Sequence, residues 1–189
     1  MYKRQVHSTR RTGWSVANGQ IDLAIIGGQL PSDLENLLQV IPYATDELAL
    51  VLPSKHPLSN KKELLKEDLY KLNFVTLDSQ TTTRKVVDKL LQDSGLDIQR
   101  LKIEMELNSL EAIKNAVQSG LGASFLPVVS IERELAAGTI HKVFIADLEG
   151  KRELKLITNP SRYTSRASEM FKKNILPQFA SLESPLRHI

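Results

Sequence analysis

The sequence predicts an α/β fold. Strand-length apolar runs alternate with helix-length amphipathic runs along most of the 189 residues. The helical runs carry start and stop signals, as at Asn108-Ser109 before the run Leu110–Ser119 and Gly120 after it. The run Ile21–Ile26 is nearly continuous, interrupted by Asp22, which suits a strand buried in a parallel sheet.

Taken in order, Val6–Ser8 can end a strand and Thr9–Asn18 reads as a short helix, with Gly19 placed for a left-handed stop. After Ile21–Ile26, Leu37–Ile41 and Glu47–Leu52 are two further strands, the second ended by Pro53. Lys66–Leu72 is a short helix or turn, Phe74–Leu77 a strand, and Thr82–Asp93 a helix with Val86, Val87, Leu90 and Leu91 on one face. Lys102–Leu107 is a strand, and Leu110–Ser119 a helix that turns Leu110, Ile113, Ala116 and Val117 inward. Ala123–Leu126 is a strand, Val129–Ala137 a helix, and Ile140–Ile145 and Leu154–Thr158 are strands. Ser165–Ile175 closes the pattern as a helix with Ala167, Met170 and Phe171 at helical spacing, and from Ala180 onward no pattern remains. Met1–Gln5 is expected to be extraneous, because YKRQ can be encoded by the end of a common sequencing-library adaptor.

Composition removes several function classes. The hydrophobic share of 41% and charged share of 25% are ordinary for a globular chain. A net charge of +3 is too weak to argue nucleic-acid binding by itself. Without cysteine there is neither a disulfide nor a thiolate metal site. His7, His56, His141 and His188 lack ligand spacing, so no metal or cofactor is expected. No apolar run approaches the ~20 residues of a membrane span. Ser8, Ser79 and Ser130 lack a nucleophile's strand–turn–helix context, and nothing activates Glu104 or Glu106 as an acid–base pair. The pattern is that of a protein that senses a ligand and does not transform it.

Three places suit a small ligand. Glu104–Pro127 reads as strand, capped helix, glycine stop and strand, and the turn at Asn108 and Ser109 presents a helix amino end to an anion. Asn108-Ser109-Leu110-Glu111 also fits a capping box, with Asn108 as N-cap and Glu111 reaching back. Thr81, Thr82, Thr83 and Arg84 follow the strand ending at Leu77. Their hydroxyls, helix-start N–H groups and guanidinium suit a carboxylate or phosphate, and equally a threonine cap beside a solvated arginine. Gly27 and Gly28 end the strand at Ile26, where a ligand can approach the backbone or a turn can need positive φ. Trp14 and Val16, beside Arg10 and Arg11, are either core or a dimer contact.

VANGQIDLAIIGG (Val16–Gly28), YATDELALVLPSKHPL (Tyr43–Leu58), TTTRKVVDKLL (Thr81–Leu91) and MELNSLEAIKNAVQSGLGASFLPV (Met105–Val128) together resemble the effector-binding domain of LysR-type transcriptional regulators. LNSLEAIKNAVQSGLG and the NPSRY of Asn159–Tyr163 resemble its carbon-fixation branch in cyanobacteria and algal plastids, which includes regulators of Rubisco operons, bicarbonate uptake and NAD(P)H dehydrogenase genes. The resemblance implies a periplasmic-binding-protein-like (type II) two-lobed fold. Lobe one would hold residues 6–44 and 154–179, lobe two 45–150, with a crossover at 151–153, a tail at 180–189 and the effector between the lobes. It assigns effector contacts to Thr81–Arg84, Gly27-Gly28 and the turn near Asn108 and Ser109. The family's N-terminal winged helix-turn-helix, linker helix and first strand and helix of lobe one have no counterpart in this sequence. Lobe one is therefore expected to be incomplete, and promoter DNA to be reached only through that absent helix-turn-helix.

The expectation is a metabolite-sensing domain of a LysR-type regulator of carbon-fixation or inorganic-carbon-uptake genes, working in the cytoplasm or plastid stroma as a homodimer or tetramer. The branch implies a small anionic effector such as a sugar phosphate, 2-phosphoglycolate or 2-oxoglutarate. The alternative is a transporter's solute-binding protein of the same fold, which a signal peptide upstream would mark. An enzyme, or an oligomerisation module that binds nothing, are further alternatives.

Overall fold

The computed structural model describes residues 8–59 and 61–174. In chain order the elements are α1 (Thr9–Ala17), β1 (Leu23–Ile26), α2 (Ser32–Glu35), β2 (Gln39–Pro53), β3 (Glu63–Leu64), β4 (Asn73–Leu77), α3 (Thr82–Asp93), β5 (Lys102–Leu107), α4 (Leu110–Gln118), β6 (Ser124–Pro127), α5 (Glu132–Ala136), β7 (Ile140–Ile145), β8 (Lys151–Thr158) and α6 (Arg166–Asn174). Short 3₁₀ turns lie at Lys66–Lys71, Ile98–Arg100 and Val128–Ser130. The expected extraneous start at Met1–Gln5, and the tail from Ala180, lie outside the described residues.

The chain forms two compact units. One holds the residues up to Thr45 and from Arg152 on; the other is the continuous stretch Asp46–Lys151. In the first, β1 pairs antiparallel with β8, from Leu23↔Thr158 to Ile26↔Lys155. Its core is small: Val16, Ala17, Ile26, Leu34, Leu38 and Ile157. Ser8 starts α1 rather than ending a strand, because its Oγ accepts from the Arg11 N–H. Val6 and His7 lie outside the described residues. Past the other end of α1, Asn159 Nδ2 and Arg162 Nε both donate to the Ala17 carbonyl, at 2.9 and 3.0 Å. The NPSRY segment thus closes a helix terminus.

The second unit is built around β4, which pairs in parallel with β5 from Asn73↔Lys102 to Leu77↔Leu107. A parallel bridge from Phe74 to Ala123 places β6 near its other edge. Antiparallel pairing continues from β6 to β2 and from β2 to β7, and β3 lies parallel to β7. The pleat sends successive β4 residues to opposite faces. Phe74 packs with Val87 and Leu91 of α3, while Val75 and Leu77 pack with Ile113, Ala116 and Val117 of α4.

Several expectations need correction. Leu37–Ile41 and Glu47–Leu52 are not two strands: β2 begins at Gln39, after Leu37 and Leu38, and runs on through the second; residues 39–45 are extended but none is buried, so apolar periodicity does not mark them. Ile21–Ile26 is not a buried parallel strand: β1 is antiparallel, begins at Leu23, and leaves Ile25 42% exposed. The helix expected over Val129–Ala137 is broken at Ile131, which has φ −122° and a fully buried side chain. Helix α6 has the expected apolar spacing but buries none of its residues. Of Trp14 and Val16, Val16 is core and Trp14 is 37% exposed.

Candidate functional site

The carboxyl ends of β4 and β5 lie side by side, and each strand leads into a helix amino end. The Asp78 N–H donates to the Leu107 carbonyl at 2.9 Å, tying the first turn to the neighbouring strand. Asp78 then builds that turn. Its Oδ1 accepts from the Gln80 N–H at 2.7 Å, and its carbonyl accepts from the N–H and the hydroxyl of Thr81 at 2.9 and 2.8 Å. Thr81 is the N-cap of α3, its Oγ1 accepting from the Arg84 N–H at 3.3 Å. Thr82 and Thr83 occupy the first turn, at the positive end of the helix dipole.

Arg84 does not project as a solvated cation. Its side chain is 11% exposed and lies over the end of β4. Nε donates to Asp88 Oδ1 at 2.8 Å, one helical turn along. Nη1 lies 2.7 Å from Thr76 Oγ1, 3.2 Å from the Leu77 carbonyl and 3.0 Å from Glu106 Oε1. Thr76 and Glu106 are register partners across β4 and β5, so the strand pairing itself aims both at the guanidinium. Thr83, Arg84, Asp88 and Thr76, with apolar Phe74, Val87 and Ile103, also line a cavity of about 30 Å³. That space suits a water and not a metabolite, for which pockets run to several hundred Å³.

The second helix start departs from expectation. Asn108 is not the N-cap and no capping box forms. Ser109 is the cap residue of α4, and its side chain makes no capping bond. Glu111 does not reach back, because it pairs with Lys114 at 2.7 Å. Asn108 and Ser109 are exposed at the turn from β5 into α4. The first-turn N–H groups of α4 therefore carry no side-chain cap, which suits an outside acceptor. The 3₁₀ turn Val128–Ser130 follows β6; Ser130 donates its hydroxyl to the Pro127 carbonyl at 2.7 Å, and its own carbonyl accepts from Lys114 Nζ of α4 at 3.2 Å.

Gly27 lies in the other unit. A Cβ there would stand 3.1 Å from Leu154 Cδ2 and 3.4 Å from Arg152 Nη1. Neither Gly27 nor Gly28 has positive φ; that conformation falls at Gly19, Gly95, Gly120 and Gly138 among the described glycines. Close packing, and not a left-handed turn, accounts for the glycine at 27.

Among the described residues no group of three or more His, Cys, Asp or Glu could hold a metal ion. No helix among them is long and apolar enough to cross a membrane. Parallel strands that end at helix amino termini define a domain for holding a small molecule.

The chain belongs to the LysR substrate binding domain family, whose model matches residues 5–180. It is 59% identical over 177 residues to a "Probable RuBisCO transcriptional regulator" of Synechocystis sp., covering 94% of this chain and 51% of that protein. A protein of the same description from Guillardia theta is 56% identical over 177 residues, covering 94% and 57%. The chain thus spans about half the length of these curated relatives. The fold matches the Synechocystis CcmR regulatory domain in complex with 2-PG at a TM-score of 0.78 and 22% identity, covering 92% of this chain and 80% of that one. It matches the effector-binding domain of QuiR in complex with shikimate at 0.75 and 21%, covering 94% and 80%. The chain is the effector-binding domain of a LysR-type regulator, homologous to RuBisCO transcriptional regulators.

Proposed function

We propose that this domain senses a small anionic metabolite for a regulator of carbon-fixation or inorganic-carbon-uptake genes. The anion is held at Thr81–Arg84, with Asn108 and Ser109 as the neighbouring wall. The observation that carries this reading is the pairing of β4 and β5, whose adjacent carboxyl ends feed two helix amino termini, one of them without a side-chain cap. Gly27 and Gly28 are secondary candidates, since Leu154 and Arg152 already pack against Gly27. Sugar phosphates, 2-phosphoglycolate and 2-oxoglutarate are the effector classes to test. The descriptions of the relatives and of the solved 2-PG complex support that choice. In the whole protein, a homodimer or tetramer in the cytoplasm or plastid stroma would carry the bound state to promoter DNA, provided the effector binds two arrangements with different affinity.

Calorimetric titration of the chain against that panel is the test. One member should bind, and Thr82→Ala and Arg84→Ala should each weaken it about tenfold or more, the worth of a charge-assisted hydrogen bond. Binding by no member, or affinity unchanged in both variants, would remove the assignment.

A further inference from the structure

We infer that Glu106 is a built-in competitor for the anion seat at Arg84, occupying the place an incoming carboxylate or phosphate takes. The inference rests on the reading of Thr81–Arg84 as that seat. An arginine Nη1 carries two hydrogens, and three acceptors surround it here: Thr76 Oγ1, the Leu77 carbonyl and Glu106 Oε1. One acceptor can leave without orphaning a donor.

The three are not equally free to go. Thr76 and Leu77 belong to β4, the strand at the centre of the unit's packing, and Leu77 offers a backbone carbonyl that cannot swing away. Asp88, on Nε, sits on the same helix as Arg84 and is 22% exposed. Glu106 projects from β5, a strand with no buried residue, and its side chain is 43% exposed. It can return to water at small cost.

Charge points the same way. One guanidinium faces two carboxylates, so the seat carries an excess negative charge while Glu106 is in place. An arriving anion is repelled until that carboxylate moves aside. Exchange of one carboxylate for another at Nη1 keeps the geometry set by Thr76 and Asp88. Binding then selects ligands that exceed Glu106, by higher charge or by added contacts to Thr82, Thr83 or Ser109, and passes over simple monocarboxylates.

The test titrates the 189-residue chain with 2-phosphoglycolate and, separately, acetate at low ionic strength, in wild type, Glu106→Gln and Glu104→Gln. Glu104→Gln removes the same charge from the same strand without a contact to Arg84. Competition predicts 2-phosphoglycolate binding about two- to fivefold tighter in Glu106→Gln, the worth of an exposed ion pair, and unchanged in Glu104→Gln. Acetate should gain detectable binding only in Glu106→Gln. A silent wild type with a binding Glu106→Gln also supports the inference, since the carboxylate then masks the seat. Binding in wild type that Glu106→Gln leaves equal or weakens overturns the inference and leaves the site reading standing. An equal gain in both variants reduces Glu106 to a long-range field and overturns it as well. Silence in every chain overturns the inference together with the reading beneath it.

Discussion

Arg84 and Lys114 show how two cations are held in one unit for different ends. Arg84 lies at the carboxyl edge of the parallel strands, with Glu106 as its most exposed partner. Lys114, its side chain 10% exposed, is closed in by Glu111 at 2.7 Å, Glu134 at 2.9 Å and the Ser130 carbonyl at 3.2 Å. Donation to the Glu111 carboxylate, then to that of Glu134, pushes the Lys114 ammonium above its ordinary range. The bond from Lys114 in turn holds Glu134 below the usual carboxylate value. A lowered carboxylate contributes stability above its unfolded pKa and loses it as pH falls through the lowered value. A raised lysine contributes below its unfolded pKa and loses it as pH rises through the raised value. The pair therefore stabilises the unit across the neutral range. Lys114→Met should cost about 2 kcal/mol near neutral pH by urea unfolding, because the half-buried Glu134 loses its counter-charge. The cost should shrink on acidification, as Glu134 becomes protonated in the variant and the wild type loses its pair. A cost that does not change with pH would show that packing, not the pair, is what was lost.

At the scale of elements, the two helix starts give opposite expectations from similar wording. Thr81-Thr82-Thr83-Arg84 reads as a cap and is one; Asn108-Ser109-Leu110-Glu111 reads as a capping box and is not. Local spacing states which residues can reach back, but not that Glu111 has Lys114 as a better partner on the same helix. Thr81→Ala should therefore cost about 1 kcal/mol, while Ser109→Ala should stay within about 0.5 kcal/mol. Thermal unfolding of the two variants measures this, and equal losses would contradict the geometry. Elements are legible where turn and cap residues bound the run. The bounds of β5, β7 and α3 match the spacing read from sequence, and β4 differs only by Asn73. β5 is the instructive case, because its residues are exposed yet bounded by Leu101 and the Asn108-Ser109 turn. The first half of β2, the short β3 and the 3₁₀ break before Ile131 were not legible, because their signals are tertiary. The same holds for the partners of Arg84: Glu106 lies 22 residues away and meets it only through the β4–β5 register.

At the scale of the molecule, the two units differ in how much core they hold. Asp46–Lys151 is continuous in sequence and contains two buried clusters, one on each face of β4. The other unit is assembled from both ends of the chain around one small cluster, and α6 buries nothing. Local stability follows buried apolar contact. Amide exchange should be slowest in β2 from Leu48 onward, β4 and β6, and fastest among helices in α6, by several powers of ten. Protection in α6 equal to that in β4 would contradict this account. The proposed anion seat lies in the unit with the larger core, which would give it a rigid frame.

The proposed seat lies where β4 and β5 end. Addition of 2-phosphoglycolate to the isotope-labelled chain, followed by backbone amide shifts, tests it most directly. Saturable shifts should concentrate at Thr81–Arg84 and Asn108–Leu110. Saturable shifts that spare both helix starts, or none with any member of the anion panel, would contradict it.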